Sequence, residues 1–302
     1  MLDEVNCFAK CGPHQSYPGG VIISIMTYQQ SLGYFTEIIK NYVDAGRMAR
    51  KSWYFLGRQV VKSYASLVFV PDIVYHAPIP PGPKILVVNH PCTVDPFMLT
   101  LLVTDQVSTL ILDTLFKIPV IGQSLRFSEQ IRVDSDNGKP AMEKALKYIR
   151  EGRTLGVFPE GAISPIEGGY QHAHSGAARL ALASGATVIP VGIHLDPRYI
   201  RLAYTRVKGK SELGTWYTHG PYAMTAGKPV VFCGDPDDRH MVAGVTAQIM
   251  QLIGEMEQES AQRILHAQLY PAPRRVEPSV IIRMIALRMV KTLSGLVFAG
   301  SK

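Results

Sequence analysis

Short apolar runs of strand length alternate with longer stretches of helical period along the central part of the chain. Predicted strands begin at residues 85 and 154 and span 108–112, 131–133, 187–194 and 229–233, and predicted helices span 140–151, 175–184 and 238–268. Strands that alternate with helices pair in parallel, because each helix returns the chain to the same edge of the sheet. The pattern therefore predicts an α/β fold, a mostly parallel central sheet flanked by helices.

Two proline-rich segments bound this α/β region. The segment APIPPGP at 77–83 and the segment 271–278 suit neither a helix nor a central strand. We therefore expect an N-terminal helical, membrane-associating region at 1–76, an α/β domain at 77–270 and an amphipathic basic helix at 271–302.

The two flanking regions have the composition of helices that lie on a membrane surface. A helix over 34–70, interrupted once, carries lysines and arginines among Trp, Tyr and Phe side chains. A second helix over 279–299 sets Arg283, Arg288 and Lys291 opposite an apolar stripe. The alternatives are a first helix packed on the domain with a solvated basic face, and a second helix docked on the first in a dimer.

Charge and composition narrow the class of partner. The chain of 302 residues has 47% hydrophobic residues, enough for a core, and a net charge of +7. The basic residues are dispersed and do not interleave with aromatics, so no nucleic acid is expected, whereas anionic lipid headgroups or an acidic carrier protein fit this charge. We expect no cleavable signal peptide and no clear transmembrane span, which predicts peripheral or monotopic attachment at the cytoplasmic face of a membrane.

The first motif strand ends in a polar pair. The sequence NHPCTVD places His90 and Asp95 on one strand-to-helix loop, turned by two prolines. If Asp95 accepts the proton of one ring nitrogen, the other nitrogen is a base that can deprotonate a hydroxyl. This is half of the serine-protease arrangement without the serine, and its alternative is a loop histidine with a purely structural role.

A second strand delivers an acidic residue to the same edge. The sequence TLGVFPEG ends at a turn that contains Glu160, so two parallel strands bring polar groups together there. Cys92 offers an alternative nucleophile, and His172 and His174 are two isolated metal-ligand types. Neither these histidines nor the pair of Cys7 and Cys11 has further ligands at a suitable spacing, so we expect no metal site.

Four ordered blocks resemble the glycerolipid acyltransferase family, typified by 1-acylglycerol-3-phosphate acyltransferases. They are NHPCTVD, SEQIRVDSD, FPEG and VIPVGI, within residues 80–235. The resemblance implies an O-acyltransferase that moves a fatty acyl chain from a thioester, on coenzyme A or acyl carrier protein, to a hydroxyl of a lysoglycerolipid or related lipid. It needs no cofactor beyond that donor, and family members commonly carry an N-terminal helical membrane anchor.

The resemblance also assigns roles to residues. His90 is the general base and Asp95 orients it, and Glu160 holds the polar end of the acceptor or the geometry of the site. Backbone amides of the FPEG turn are expected to stabilise the oxyanion. The residues expected to bind the acceptor or shape the site are Asn89, Arg132, Pro159, Glu160 and Gly161.

The chain departs from the family pattern where a phosphate would bind. Members that acylate lysophosphatidate place basic residues at three positions that here hold Leu112 and Asp113, Ser135 and Ile163. A phosphate monoester requires Arg or Lys donors in fixed geometry, and only Arg132 or Lys117 remain as substitutes. We therefore expect an acceptor with a neutral, glycosidic or diester headgroup, with lysophosphatidate, and hence phosphatidate as product, as the alternative.

Two interpretations from other functional classes compete with the acyltransferase. A non-catalytic membrane-binding protein would keep the fold and rely on its basic helices. A hydrolase is disfavoured because the sequence has no G-x-S-x-G nucleophile elbow.

Overall fold

The computed structural model describes residues 25–118, 120–207 and 210–269, with side chains described over 46–118, 120–202 and 214–269. The chain divides into two compact units, Met1–Ala49 and Arg50–Lys302. The predicted helix at 279–299, as well as Cys7 and Cys11, lies outside the described residues.

Six α-helices and nine strands make up the described chain. The helices are α1 Ile25–Val68, α2 Asp95–Met98, α3 Ile121–Phe127, α4 Lys139–Arg150, α5 Gly176–Ser184 and α6 Arg239–Leu269. The strands are β1 Phe69–Tyr75, β2 Lys84–Val88, β3 Val107–Leu112, β4 Ile131–Val133, β5 Thr154–Val157, β6 Thr187–Leu195, β7 Ile200–Val207, β8 Lys210–Tyr217 and β9 Gly220–Ala226. Short 3-10 helices span Leu99–Leu101, Asp113–Lys117 and Pro197–Tyr199.

Seven strands form one sheet in the order β1-β9-β6-β2-β5-β3-β4. The five strands from β6 to β4 are parallel, β9 runs antiparallel to β6, and β1 pairs in parallel with β9. This confirms the predicted mostly parallel α/β fold. Strands β7 and β8 form a separate antiparallel pair.

The predicted strand at 229–233 is wrong. Val230 makes a single antiparallel bridge with Val188. Strand β9 occupies the same side of β6 from Val191 onward, so it leaves room for one bridge and no longer ladder.

Helix α1 is longer than the sequence predicted and is followed at once by a strand of the sheet. It runs for 44 residues without the expected interruption, because Gly57 and its neighbours keep the helical backbone. Strand β1 then pairs with β9. The sheet therefore begins ahead of residue 77, within the region predicted to be only helical.

Apolar side chains cover both faces of the sheet. On one face Ile85, Val87 and Leu155 pack with α4, α5 and α6. On the other face Leu86 and Val88 pack with buried residues of α1 and α2. Because β2 is buried on both faces, its polar successors emerge only at its carboxyl end, beside the end of β5.

The part of α1 beyond residue 49 docks on the domain through polar contacts. The backbone N–H of Val107 donates to the hydroxyl of Tyr54 over 2.9 Å, and the Arg58 guanidinium donates to the carbonyls of Thr100 and Val103. The same helix also exposes large apolar side chains, namely Met48, Trp53, Phe55, Leu56 and Val60. Among the described residues, no helix has both the length and the apolar character needed to cross a membrane.

Candidate active site

His90 and Asp95 are in direct contact on the loop that follows β2. The Nδ1 atom of His90 lies 2.9 Å from Oδ2 of Asp95. Asp95 is fully buried as the first residue of α2, whereas the His90 side chain keeps 17% of its surface exposed. A buried carboxylate facing Nδ1 favours the tautomer that carries its proton there, which leaves the Nε2 lone pair available as a base.

An aromatic neighbour restricts the orientation of the His90 ring. It stacks on Phe158 at the end of β5, with ring centroids 4.3 Å apart and an interplanar angle of 28°. Within the described residues, Nε2 of His90 has no hydrogen-bond partner. The ring thus presents one fixed nitrogen to a ligand.

The Asp95 carboxylate is fixed by two further donors. Its Oδ2 also accepts the backbone N–H of Cys92 over 2.7 Å, and its Oδ1 accepts the hydroxyl of Tyr222 over 2.5 Å. Tyr222 lies on β9, two strands away from β2, and is fully buried. The sequence reading missed Tyr222, because no strand was predicted at β9 and the residue lies 127 positions from Asp95.

Glu160 lies beside His90 but turns its carboxylate into the protein. The pairing of Val87 with Val157, extended by three residues, brings Glu160 level with His90. Oε1 of Glu160 accepts the backbone N–H of His90 over 3.1 Å and the hydroxyl of Ser164 over 2.6 Å, and Oε2 accepts the backbone N–H of Gln171 over 2.8 Å. With 2% of its surface exposed, Glu160 shapes the site from behind.

Three other predicted residues have structural contacts at the same edge. The side-chain amide of Asn89 exchanges two hydrogen bonds with the backbone of Ile193, which ties the end of β2 to β6. The carbonyl of Pro159 accepts the backbone N–H of His174 over 2.8 Å. Gly161 has a positive φ of 64°, and a Cβ there would lie 2.8 Å from the His174 ring, so the turn requires glycine.

Residues 72–194 match the acyltransferase family and contain all four sequence blocks. The chain contains an acyltransferase-family domain. This confirms the predicted family. The chain is also similar to a 1-acyl-sn-glycerol-3-phosphate acyltransferase of Borreliella burgdorferi (strain ATCC 35210 / DSM 4680 / CIP 102532 / B31), with 29% identity over 114 residues. That match covers 36% of this chain and 45% of the relative, so the chain spans less than half of the curated relative's length.

A solved structure gives a further comparison. The crystal structure of the 1-acyl-sn-glycerophosphate (LPA) acyltransferase PlsC from Thermotoga maritima aligns with a TM-score of 0.49 and 17% sequence identity. The alignment covers 82% of this chain and 91% of that one.

In the acyltransferase domain, Arg132 is separated from His90 within the sheet and forms an ion pair. It lies on β4, three strands from β2, and its Nε is 2.6 Å from Oδ1 of Asp113. Lys117 also pairs with the Asp113 carboxylate. Lys117 first, and Arg132 after it, hold the pKa of Asp113 below its usual range against the opposing effect of desolvation. Arg132 and Lys117, the two basic residues predicted to be able to replace the missing phosphate ligands, are therefore both paired with the Asp113 carboxylate.

Cys92 does not have the environment of a nucleophile. Its side chain is fully buried, and burial, together with the nearby Asp95 charge, raises the pKa of the thiol far above its ordinary value. The thiol therefore stays protonated at neutral pH, whereas the thiolate is the reactive form. Among the described residues, no group of three or more His, Cys, Asp or Glu side chains could hold a metal ion.

One backbone amide of the FPEG turn in the acyltransferase domain already donates a hydrogen bond within the turn. The N–H of Gly161 donates to the carbonyl of Phe158 over 3.0 Å. The amides of Ala162 and Ile163, by contrast, donate to no acceptor within the described residues. These two residues follow the turn directly in the chain.

Proposed function

We propose that this protein transfers a fatty acyl chain from an acyl thioester, on coenzyme A or acyl carrier protein, to a hydroxyl of a lysoglycerolipid or related lipid. The observation that carries the proposal is the His90–Asp95 pair, with Nδ1 bound to a buried carboxylate and Nε2 open at the carboxyl edge of a parallel sheet. The acyltransferase-family match over the same residues supports the acyl-transfer chemistry.

The pair performs the reaction as a general base. Nε2 of His90 removes the proton of the acceptor hydroxyl while the hydroxyl oxygen attacks the thioester carbonyl carbon. The tetrahedral oxyanion collapses, the carbon–sulfur bond breaks, and the imidazolium returns its proton to the leaving sulfur. Asp95 stabilises the imidazolium between these steps, and the chemistry requires no covalent acyl-enzyme. The free amides of Ala162 and Ile163 are our proposed donors to the oxyanion.

The acceptor in this proposal carries a neutral, glycosidic or diester headgroup. Asp113 and Ile163 occupy two of the positions where, by the family resemblance, members that acylate lysophosphatidate carry basic residues. Arg132 and Lys117 share their charge with Asp113, so their field at a ligand phosphate is reduced. The Glu160 carboxylate already accepts hydrogen bonds from three protein donors. It therefore affects the acceptor only through the shape of the site.

The reaction is proposed to take place at a membrane surface. The exposed apolar residues of α1 beyond Ala49 lie among Lys51 and Lys62, which is the combination that binds an anionic lipid surface without spanning it. Both substrates carry acyl chains that reside in or near such a surface. An acidic acyl carrier protein as donor is compatible with the net charge of +7.

The activity is tested by thiol release. Purified protein is mixed with acyl-CoA or acyl carrier protein and with vesicles of defined lysolipids, and free thiol and acylated lipid are measured together. We expect both products in equal amount with the wild type and with His172→Ala, an exposed loop histidine, and neither with His90→Ala. Vesicle binding without either product would favour the non-catalytic membrane protein, and thiol release without acylated lipid would favour a hydrolase.

The acceptor class is tested by competition. Lysophosphatidate is offered together with lysoglycolipids and diester lysophospholipids in the same vesicles, and the acylated products are separated. We expect the diester or glycosidic acceptors to dominate, and Ile163→Arg to raise the share of phosphatidate. The matched control Ile166→Arg adds the same charge on the exposed loop nearby and should leave the share unchanged. A wild-type preference for lysophosphatidate that survives Arg132→Ala and Lys117→Ala would refute this acceptor class.

A further inference from the structure

Tyr222 is tied to the site by a single polar contact. Its hydroxyl donates to Oδ1 of Asp95 over 2.5 Å, and the residue is fully buried. The ring is clamped by Phe69 and Tyr217, with centroids 5.5 Å and 6.2 Å away. Tyr222 lies on β9 and reaches Asp95 across β6. A residue far along the chain therefore binds the carboxylate oxygen that the loop after β2 leaves without a donor.

The contact completes the set of donors around Asp95. Cys92 N–H and His90 Nδ1 both contact Oδ2, so neither of them donates to Oδ1. Tyr222 fixes that oxygen. It also draws part of the negative charge away from the oxygen that faces His90.

The phenol is a donor throughout the working pH range. Burial first, and the Asp95 charge next, raise the pKa of Tyr222 well above its ordinary value, so the hydroxyl stays protonated. A protonated phenol next to a carboxylate has one strong arrangement, with its O–H directed at the carboxylate oxygen.

We infer that Tyr222 is a positioning residue for the reaction, which aims the Asp95 carboxylate at His90 and tunes the basicity of the imidazole through it. The inference rests on the proposed function of His90 as the general base. Tyr222 touches no reacting atom, so its effect passes through Asp95.

The titratable groups around this pair are a thiol, three phenols and a carboxylate. They are Cys92 on the same loop, Tyr64 on α1, Tyr217 on β8, Tyr222 on β9 and Glu160 after β5. Burial raises the pKa of the thiol and of the three phenols above the ordinary values, so none of these four ionises on the acid side. The Glu160 carboxylate binds the backbone of His90, and Glu160→Gln serves to check its contribution to the limb.

Tyr222→Phe removes one oxygen atom and keeps the ring. We expect kcat to fall about tenfold with little change in the KM of the acceptor, as for the loss of one charged hydrogen bond that acts after binding. More negative charge is then left on the oxygen that faces His90, which stabilises the imidazolium. The acid limb of the profile should therefore move to higher pH, by on the order of half a pH unit.

Tyr217→Phe is the matched control. Tyr217 is a buried neighbour of the same type, and its hydroxyl donates to the carbonyl of Pro221 over 2.6 Å and not to Asp95. We expect its acid limb to stay in place. In an Asp95→Asn background, Tyr222→Phe should cost little further activity, because the group through which it acts has lost its charge.

A second variant keeps the test decisive if Tyr222→Phe does not fold. Site-specific replacement of Tyr222 by 3,5-difluorotyrosine keeps the hydroxyl but makes it a stronger donor, so the acid limb should move to lower pH, opposite to Tyr222→Phe. Unshifted limbs, or full additivity of Tyr222→Phe with Asp95→Asn, would overturn the positioning role. Full activity of folded His90→Ala would instead overturn the proposed function itself.

Discussion

The carboxylate of Glu160 holds the backbone of His90, with Oε1 3.1 Å from the His90 amide nitrogen. The hydroxyl of Ser164 accepts from the same amide over 3.2 Å, and the Ser164 N–H returns a bond to the His90 carbonyl over 2.8 Å. The base is therefore fixed in its main chain by the loop after β5 and in its side chain by Asp95. Two elements that are 70 residues apart act as one support.

The His90–Asp95 pair should act as a unit in catalysis. We expect His90→Ala and Asp95→Asn each to lower kcat by about two to four orders of magnitude, because a positioned base contributes about that much. Thermal unfolding of each variant checks that the fold is kept. The activity of the wild type should also fall on the acid side, since a protonated imidazole cannot accept a proton. Near-normal transfer by folded His90→Ala would rule out the mechanism.

Replacement of Glu160 by glutamine should affect folding and turnover together. Glutamine offers one oxygen where three donors now share two, so a buried N–H or hydroxyl loses its partner. We expect the free energy of unfolding to fall by about 1–3 kcal/mol and kcat to fall about tenfold, with the KM of the acceptor unchanged. The comparison variant is Glu167→Gln on the exposed part of the loop. If stability is kept and only the acceptor KM rises, Glu160 contacts the acceptor directly.

Asp113 should control how well the protein discriminates against phosphate monoesters. Asp113→Asn releases Lys117 and Arg132, so we expect the use of lysophosphatidate relative to diester lysolipids to rise about two- to fivefold. Asp136→Asn, an exposed carboxylate of the β4–α4 connection, removes the same charge as a control. Product ratios from mixed vesicles measure the effect, and equal ratios in both variants would contradict it.

The same ion pairs fix the direction of a pH effect. The pKa of Asp113 is lowered by Lys117 and then by Arg132, so the carboxylate keeps its charge above the ordinary carboxylate range and loses it only as pH falls through the lowered value. Between about pH 5 and 8 the headgroup preference should therefore be flat with respect to Asp113. A preference that changes steeply in this range in the wild type, but not in Asp113→Asn, would argue against these ion pairs.

The exposed apolar residues of α1 should contribute to membrane binding. Leu56 and Val60 expose 61% and 57% of their surfaces, so the double variant Leu56→Gln, Val60→Gln removes apolar area without a change of charge. We expect its sedimentation with anionic vesicles to be clearly weaker than that of the wild type. Ser52→Gln, Ser63→Gln alters two exposed polar positions of the same helix and should bind normally. Equal sedimentation of both double variants would exclude this surface.

The C-terminal segment has its own test. Deletion of residues 279–302 removes Arg283, Arg288, Lys291 and their apolar stripe, so it should weaken vesicle binding further, and more so at low salt. Unchanged binding after the deletion would exclude a membrane role for this segment.

The sequence by itself determined the five strands of the parallel part of the sheet, β2 to β6, and where the polar residues after β2 and β5 emerge. The strands at β2 and β5 followed from short apolar runs, and the contact of His90 with Asp95 followed from a turn that spans five positions. The order of the four blocks also indicated the family. These are local properties, because period, turn residues and short spacings act within a few residues.

Only the tertiary structure decided which strands are neighbours, and with them the surroundings of the base. Tyr222 reaches Asp95 from β9, Glu160 binds the backbone of His90 instead of facing a ligand, and Arg132 is committed to Asp113. Periodicity shows which face a residue occupies in its own strand but not which strand lies beside it, since strand order is set by packing energies summed over the whole sheet. Hydrogen bonds between distant strands are therefore visible only once the sheet is assembled.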